Sequence, residues 1–151
     1  MNREKTASFA FRFAPHILPS QLQMETRRHI AAERKRSGEY NCAQAVLCTY
    51  ADKCGMTEEA ARNVTHAFAA GMGNMEGTCG ALVGAGIVLG LAKKERAAAM
   101  RSMRQVMQKF QDRNGATQCR ALKGIGKGCP LRECPDCVSD ASEFLEEELQ
   151  P

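Results

Sequence analysis

The stretch from Cys79 to Ala92 carries no charged residue and is almost wholly apolar. It is too short to cross a bilayer, whose hydrocarbon core takes about 20 apolar residues of helix. It is also too apolar to lie on a surface. Such a segment reads as a buried core helix, with the rest of the chain wrapped around it. Its glycines come in fours, Gly80 with Gly84 and Gly86 with Gly90. Small residues at that spacing share one helix face and let another helix come close. The same approach would carry Cys79 toward neighbouring helices.

What wraps around it is constrained by composition. Aromatic residues are 5% of the 151-residue chain, and Trp is absent. The core must be built from Ala, Leu, Val, Ile and Met, which favour packed helices over a β-sandwich. The length fits one domain with a real core. The predicted fold is all-α: a compact single-domain bundle of five to six helices, with a Cys/Pro/Gly-rich loop before the last one.

Caps and breakers give the order of elements. Residues 1–20 read as a loosely ordered tail, broken by Pro15 and Pro19. The alternating Phe9, Phe11 and Phe13 in it suit a short strand or a docking segment. The helical, cysteine-rich redox domain is predicted over 21–151. Ser20 would cap a first helix to Ser37, with Gly38 ending it. Asn41 caps a second, through Ala43, Val46, Leu47 and Tyr50, ended by Gly55. Thr57 caps a third with a stripe of Ala60, Ala61, Val64, Ala67 and Phe68. Gly71, Gly73 and Gly77 make a flexible loop before the core helix, which starts near Thr78. A fifth helix follows Lys94, with Met100, Met103, Val106, Met107 and Phe110 inward. A short helical turn carries Cys119 to Leu122. The last helix opens at Cys137 and uses Val138, Ala141, Leu145 and Leu149.

The net charge of +4 is too small to argue for nucleic acid. Basic residues gather early (Arg27, Arg28, Arg34, Lys35, Arg36) and acidic ones late (Glu143, Glu146, Glu147, Glu148). Such runs read as solvated helix faces. No aromatics interleave the basic run, as a single-strand binder would require. The first twenty residues carry Arg3, Glu4, Lys5 and Arg12 and no continuous apolar run, so no secretory signal is read and a cytoplasmic location is expected. In that compartment the eight cysteines suggest thiols, metal ligands or redox groups rather than structural disulfides.

Cys42, Cys79, Cys119 and Cys137 all fall near predicted helix N-termini. Free amide N–H groups and the positive dipole end stabilise a thiolate there, the form that binds metal or attacks a disulfide. The bland alternative is that each is a small buried hydrophobe. Cys129, Cys134 and Cys137 read C-x4-C-x2-C, a spacing that also begins plant-type ferredoxin ligand runs and could hold zinc with Cys119. Cys134-Pro135-Asp136-Cys137 is also a CxxC, the arrangement of dithiol oxidoreductases, although those follow a strand. Cys48 and Cys54, six residues apart, read as structural.

Weaker signals resolve toward packing. Gly84-Ala85-Gly86 with Gly90 lacks the preceding strand of a dinucleotide site. Met100, Met103 and Met107 read as a core stripe rather than metal ligands. His66 and His29 read as surface residues, and nothing pairs Cys42 with His66 as nucleophile and base.

Taken together, Tyr40-Asn41-Cys42-Ala43-Gln44-Ala45-Val46-Leu47, Cys79-Gly80-Ala81-Leu82-Val83-Gly84 (CGAxxG), Phe110 with Cys119, and Cys137-Val138 resemble the C-GCAxxG-C-C family. The resemblance covers about 27–149 and matches the four signature cysteines to Cys42, Cys79, Cys119 and Cys137. It implies redox activity without naming a substrate. A similar module precedes the haem domain of split-Soret cytochromes, where it is associated with a non-haem iron–sulfur site. This chain has no CxxCH, so c-type haem is not expected.

The first expectation is therefore an iron–sulfur centre held by Cys42, Cys79, Cys119 and Cys137, with Cys129 and Cys134 as substitutes, serving electron transfer or redox sensing. A thiol–disulfide protein using Cys134 and Cys137, or signature cysteines, is the alternative. A structural zinc module is the third. A redox partner protein is expected, with no nucleic acid and no membrane insertion. A homodimer is allowed.

Overall fold

A computed structural model describes residues 25–151. The expected tail over 1–20 and the Ser20 cap lie outside the described residues. Seven helices and no strand occur among the described residues. They are α1 (Arg28–Arg36), α2 (Cys42–Thr49), α3 (Glu58–Thr65), α4 (Gly80–Lys93), α5 (Arg96–Asn114), the single turn α6 (Cys119–Leu122) and α7 (Cys134–Leu149). No described helix is long and apolar enough to cross a membrane.

The apolar run forms α4, which packs on α2, α5 and α7, while α1 lies across α7 and α2. Its buried residues, Ala81, Leu82, Ala85, Val88 and Leu89, trace a helical stripe. Two of its glycines decide the contact with α2. A Cβ on Gly84 would lie 2.7 Å from the Ala43 carbonyl oxygen and 3.0 Å from Val46 Cβ. A Cβ on Gly80 would lie 3.1 Å from Cys42 Cβ. The second glycine pair behaves differently. Gly86 meets only the Met103 side chain, and Gly90 faces open space.

The caps work largely as the sequence predicts. Asn41 Oδ1 accepts from Gln44 N and Gln44 Oε1 accepts from Asn41 N, each at 2.9 Å, closing a capping box on α2. Thr57 Oγ1 accepts from Ala60 N, and the Glu95 carboxylate accepts from the Ala97 and Ala98 amides of α5. α2 ends at Thr49 and tightens into a 3-10 turn over Ala51–Cys54, stopped by the left-handed Gly55.

Four expectations change. Glu25 to Arg27 are not helical, so α1 starts at Arg28, without a side-chain cap. α7 starts at Cys134 rather than Cys137, with Pro135 in its first turn, where proline's missing N–H costs nothing. On α3 the buried pair is Ala61 and Thr65, and Val64 is 50% exposed. Thr65 can face inward because its hydroxyl donates to the Ala61 carbonyl at 2.6 Å. On α5 the buried line is Ser102, Val106, Phe110 and Asn114, with Met103 and Met107 at its edge and Met100 44% exposed.

The two charged runs do not simply face solvent. Arg28 pairs with Glu143, which also binds Arg113, so the basic α1 lies against the acidic α7. Glu146 is buried and accepts from the Arg27 amide at 2.6 Å and from the Tyr50 hydroxyl at 2.7 Å.

These contacts set a stability test. Gly84→Ala is expected to destabilise the protein by about 1–3 kcal/mol, because the α2 backbone has to retreat. Gly90→Ala is expected to stabilise by about 0.5–1 kcal/mol through helix propensity alone. Chemical denaturation of both variants checks this, and equal effects would contradict the close α2–α4 contact.

Candidate thiol site

Cys42 is the first residue of α2, and Cys79 stands in the cap position of α4. The tight α2–α4 contact at Gly80 sets them side by side. Cys119 joins through the backbone. Cys79 N donates to the Thr117 carbonyl at 2.8 Å, Cys119 N to Gly77 at 3.0 Å and Arg120 N to Met75 at 2.9 Å, around the isolated bridge of Thr78 with Gln118. The glycine loop expected to be flexible is therefore pinned. It is also strained, with Ala70, Met72 and Met75 at positive φ. Gly71 has φ +56, and a Cβ on it would collide with Cys119 Cβ at 2.5 Å.

α7 supplies the rest. Cys134 is its first residue, and Cys137 follows one turn later. Two arginines hold the start of α7 and the segment leading into it. Arg132 binds the buried Asp140 through two nitrogens, at 2.9 and 3.1 Å, and Arg113 binds the same carboxylate at 3.1 Å. The Arg132 carbonyl then accepts from Cys137 Sγ at 3.8 Å.

The outcome is one cavity of about 240 Å³ walled by Cys42, Cys79, Cys119, Cys134 and Cys137. Lys35, Lys123 and Arg132 also line it, and no carboxylate does. The four residues singled out in the sequence, Cys42, Cys79, Cys119 and Cys137, thus share one cavity, together with Cys134. Cys129 is exposed and outside the lining. Cys48 and Cys54 sit elsewhere, near the Glu58 and Val88 carbonyls. His66 contacts Gln44 Nε2 at 3.2 Å and does not line the cavity. Lys35 and Lys123 carry no sequence signal for this role. They are found only through the fold.

Within the cavity the thiols fall into two pairs. Cys42 and Cys134, both half-buried, shift each other's acidity most strongly and form an outer pair. Cys79 and Cys137, 4% and 2% exposed, do the same as an inner pair. In each pair one sulfur is the favoured anion. The Cys42 thiol donates to Cys134, and with help from Lys123 and Lys35 it holds Cys134 down to about 6, against burial and the nearby Glu133. Cys42 is correspondingly pushed well up. The Cys137 thiol and the Ala81 and Leu82 amides lower Cys79 against its burial, and Cys137 rises in turn. Cys119 is raised by burial.

A metal centre is a question of geometry as well as donor type. Five soft thiol donors suit iron or zinc. As the side chains are placed, however, no three His, Cys, Asp or Glu among the described residues form a group that could hold a metal ion.

The family model described as "Putative redox-active protein (C_GCAxxG_C_C)" matches residues 40–148. The chain belongs to that family. Neither a curated protein nor a solved structure matches it. The family assignment agrees with a cavity whose chemistry resides in thiols, and all five of the cavity's cysteines fall inside the matched span.

The pair electrostatics make a pH prediction. Cys134 is ionised above its lowered pKa, so its alkylation by iodoacetamide is expected to rise with a midpoint near pH 6. Cys42→Ala removes the largest stabilising contact and is expected to move that midpoint upward. A wild-type midpoint near pH 8.5, typical of free cysteine, would contradict the pairing.

Proposed function

We propose that this protein is a thiol–disulfide redox protein whose working pair is Cys42 and Cys134. The observation that carries this reading is the outer pair itself: two half-buried thiols lining one cavity, with Cys134 at the first residue of a helix and its pKa lowered to about 6. The expected chemistry is exchange with an external disulfide. The Cys134 thiolate attacks one sulfur of that disulfide, and the other sulfur leaves as a thiolate and takes a proton. Cys42 then gives up its proton and attacks Cys134 Sγ, which releases the second external thiol and closes a Cys42–Cys134 disulfide. Two protein thiols are oxidised and one external disulfide is reduced to two thiols. The positive lining from Lys35 and Lys123 stabilises the thiolate at the start of this sequence.

The pairing differs from the CxxC expectation. Cys134 partners Cys42 on another helix, and Cys137 partners Cys79. The test is a thiol titration across glutathione buffers from about −320 to −180 mV, with peptide mapping of the disulfide formed. A reversible two-electron transition mapping to Cys42–Cys134 is expected, lost in Cys134→Ser and kept in Cys129→Ser. Absence of any transition in that range would overturn the reading.

A second reading is favoured by the gathering of five thiols around one cavity. In it Cys42, Cys79, Cys119 and Cys137 turn inward to hold an iron–sulfur cluster or zinc, with Cys134 as the nearest substitute ligand. Anaerobic reconstitution with iron and sulfide separates the two readings. Bound iron and sulfide with visible absorption, or stoichiometric zinc by elemental analysis, supports the metal centre, and a colourless protein free of both iron and zinc leaves the dithiol alone.

A further inference from the structure

We propose that Cys79 and Cys137 form a second, interior dithiol that draws oxidising equivalents inward from the Cys42–Cys134 pair, so that one chain stores two disulfides. The inference rests on the dithiol reading above and deepens it by assigning the buried thiols. Nothing else in that chemistry uses them, yet the close approach of α4 to α2 at Gly80 and Gly84 sets Cys79 beside Cys42.

The geometry has two parts. First, the inner thiols line the same cavity and are almost closed to solvent, at 4% and 2% exposure. They line the same cavity as Cys42 and Cys134, which are the more exposed of the two pairs. Secondly, Cys79 is next to Gly80, whose missing side chain admits the Cys42 Cβ. Cys42 thus stands beside the start of α4, and the charge of Cys79 is felt at Cys42 across the cavity.

The transfer balances without an added reductant or oxidant. Once an external disulfide has oxidised the outer pair, the Cys79 thiolate attacks Cys42 Sγ. The Cys42–Cys134 bond breaks, and Cys134 leaves as the thiolate that its surroundings favour. Cys137 then attacks Cys79 Sγ, forming Cys79–Cys137, and its proton ends on the departing Cys42 sulfur. One disulfide has moved inward, one dithiol has moved outward, and no electron is gained or lost. A second external disulfide can then oxidise the outer pair again.

The experiment is a time course of the reduced, full-length protein with excess oxidised glutathione, quenched in acid and mapped by mass spectrometry. The Cys42–Cys134 disulfide is expected first, followed by Cys79–Cys137, for a final four thiols lost at the cavity. In the double variant Cys42→Ser/Cys134→Ser, oxidation of Cys79 with Cys137 is expected to slow at least ten-fold, with circular dichroism reporting the fold. The wild-type map alone suffices should that variant unfold. The inference is overturned if the wild type stops at Cys42–Cys134, or if the inner pair oxidises at the wild-type rate in the folded double variant. Failure of both disulfides to form would instead remove the dithiol reading and this inference with it.

Discussion

The approach of α4 to α2 at Gly80 and Gly84 sets the position of everything that matters chemically. With side chains at those two positions the helices would have to separate, since the Ala43 carbonyl and Cys42 Cβ already occupy the space. Separation would cost packing in a core made of small aliphatic residues, which have little reach to fill a gap. It would also pull Cys42 from Cys79. The glycines therefore link core density to site geometry, and one cannot loosen without the other.

Around that contact the remaining thiols are placed by different means. Cys119 arrives by backbone pairing between the 75–79 and 117–120 segments, with Gly71 leaving room for it. Cys134 and Cys137 arrive on the first turn of α7, which Asp140 anchors through Arg113 and Arg132. Three structural devices thus bring the five sulfurs to one cavity. Helix starts and lysines favour the anion, burial opposes it, and proximity lets one thiol of each pair carry the charge for both.

Much of the fold was legible in the sequence because the signals are local. Asn41 and Thr57 read as caps, Gly55 as a stop, and the uncharged run as the central helix. The misses are tertiary. Val64 and Met100 fit a helical stripe, but their helices lie at the rim of the bundle, and only part of each stripe finds a neighbour. The start of α7 at Cys134 was signalled by Pro135, which belongs in a first turn, and was missed because Cys137 drew the attention. The opposed charge runs read as surface because nothing in sequence says that α1 lies on α7. At the site, helix N-termini pointed to Cys42, Cys79, Cys119 and Cys137, while the pairing of Cys134 with Cys42 depends on α2 and α7 meeting and has no local signature.

The central claim is that four of these thiols stand as two contacting pairs. A trivalent arsenical such as phenylarsine oxide binds only where two sulfurs can be bridged by one atom. Titrating the reduced native protein should give tight uptake at Cys42 with Cys134, and slower uptake at Cys79 with Cys137, each located by mass spectrometry. Uptake confined to other cysteines, or none at all, would show that the sulfurs do not meet and would contradict the account.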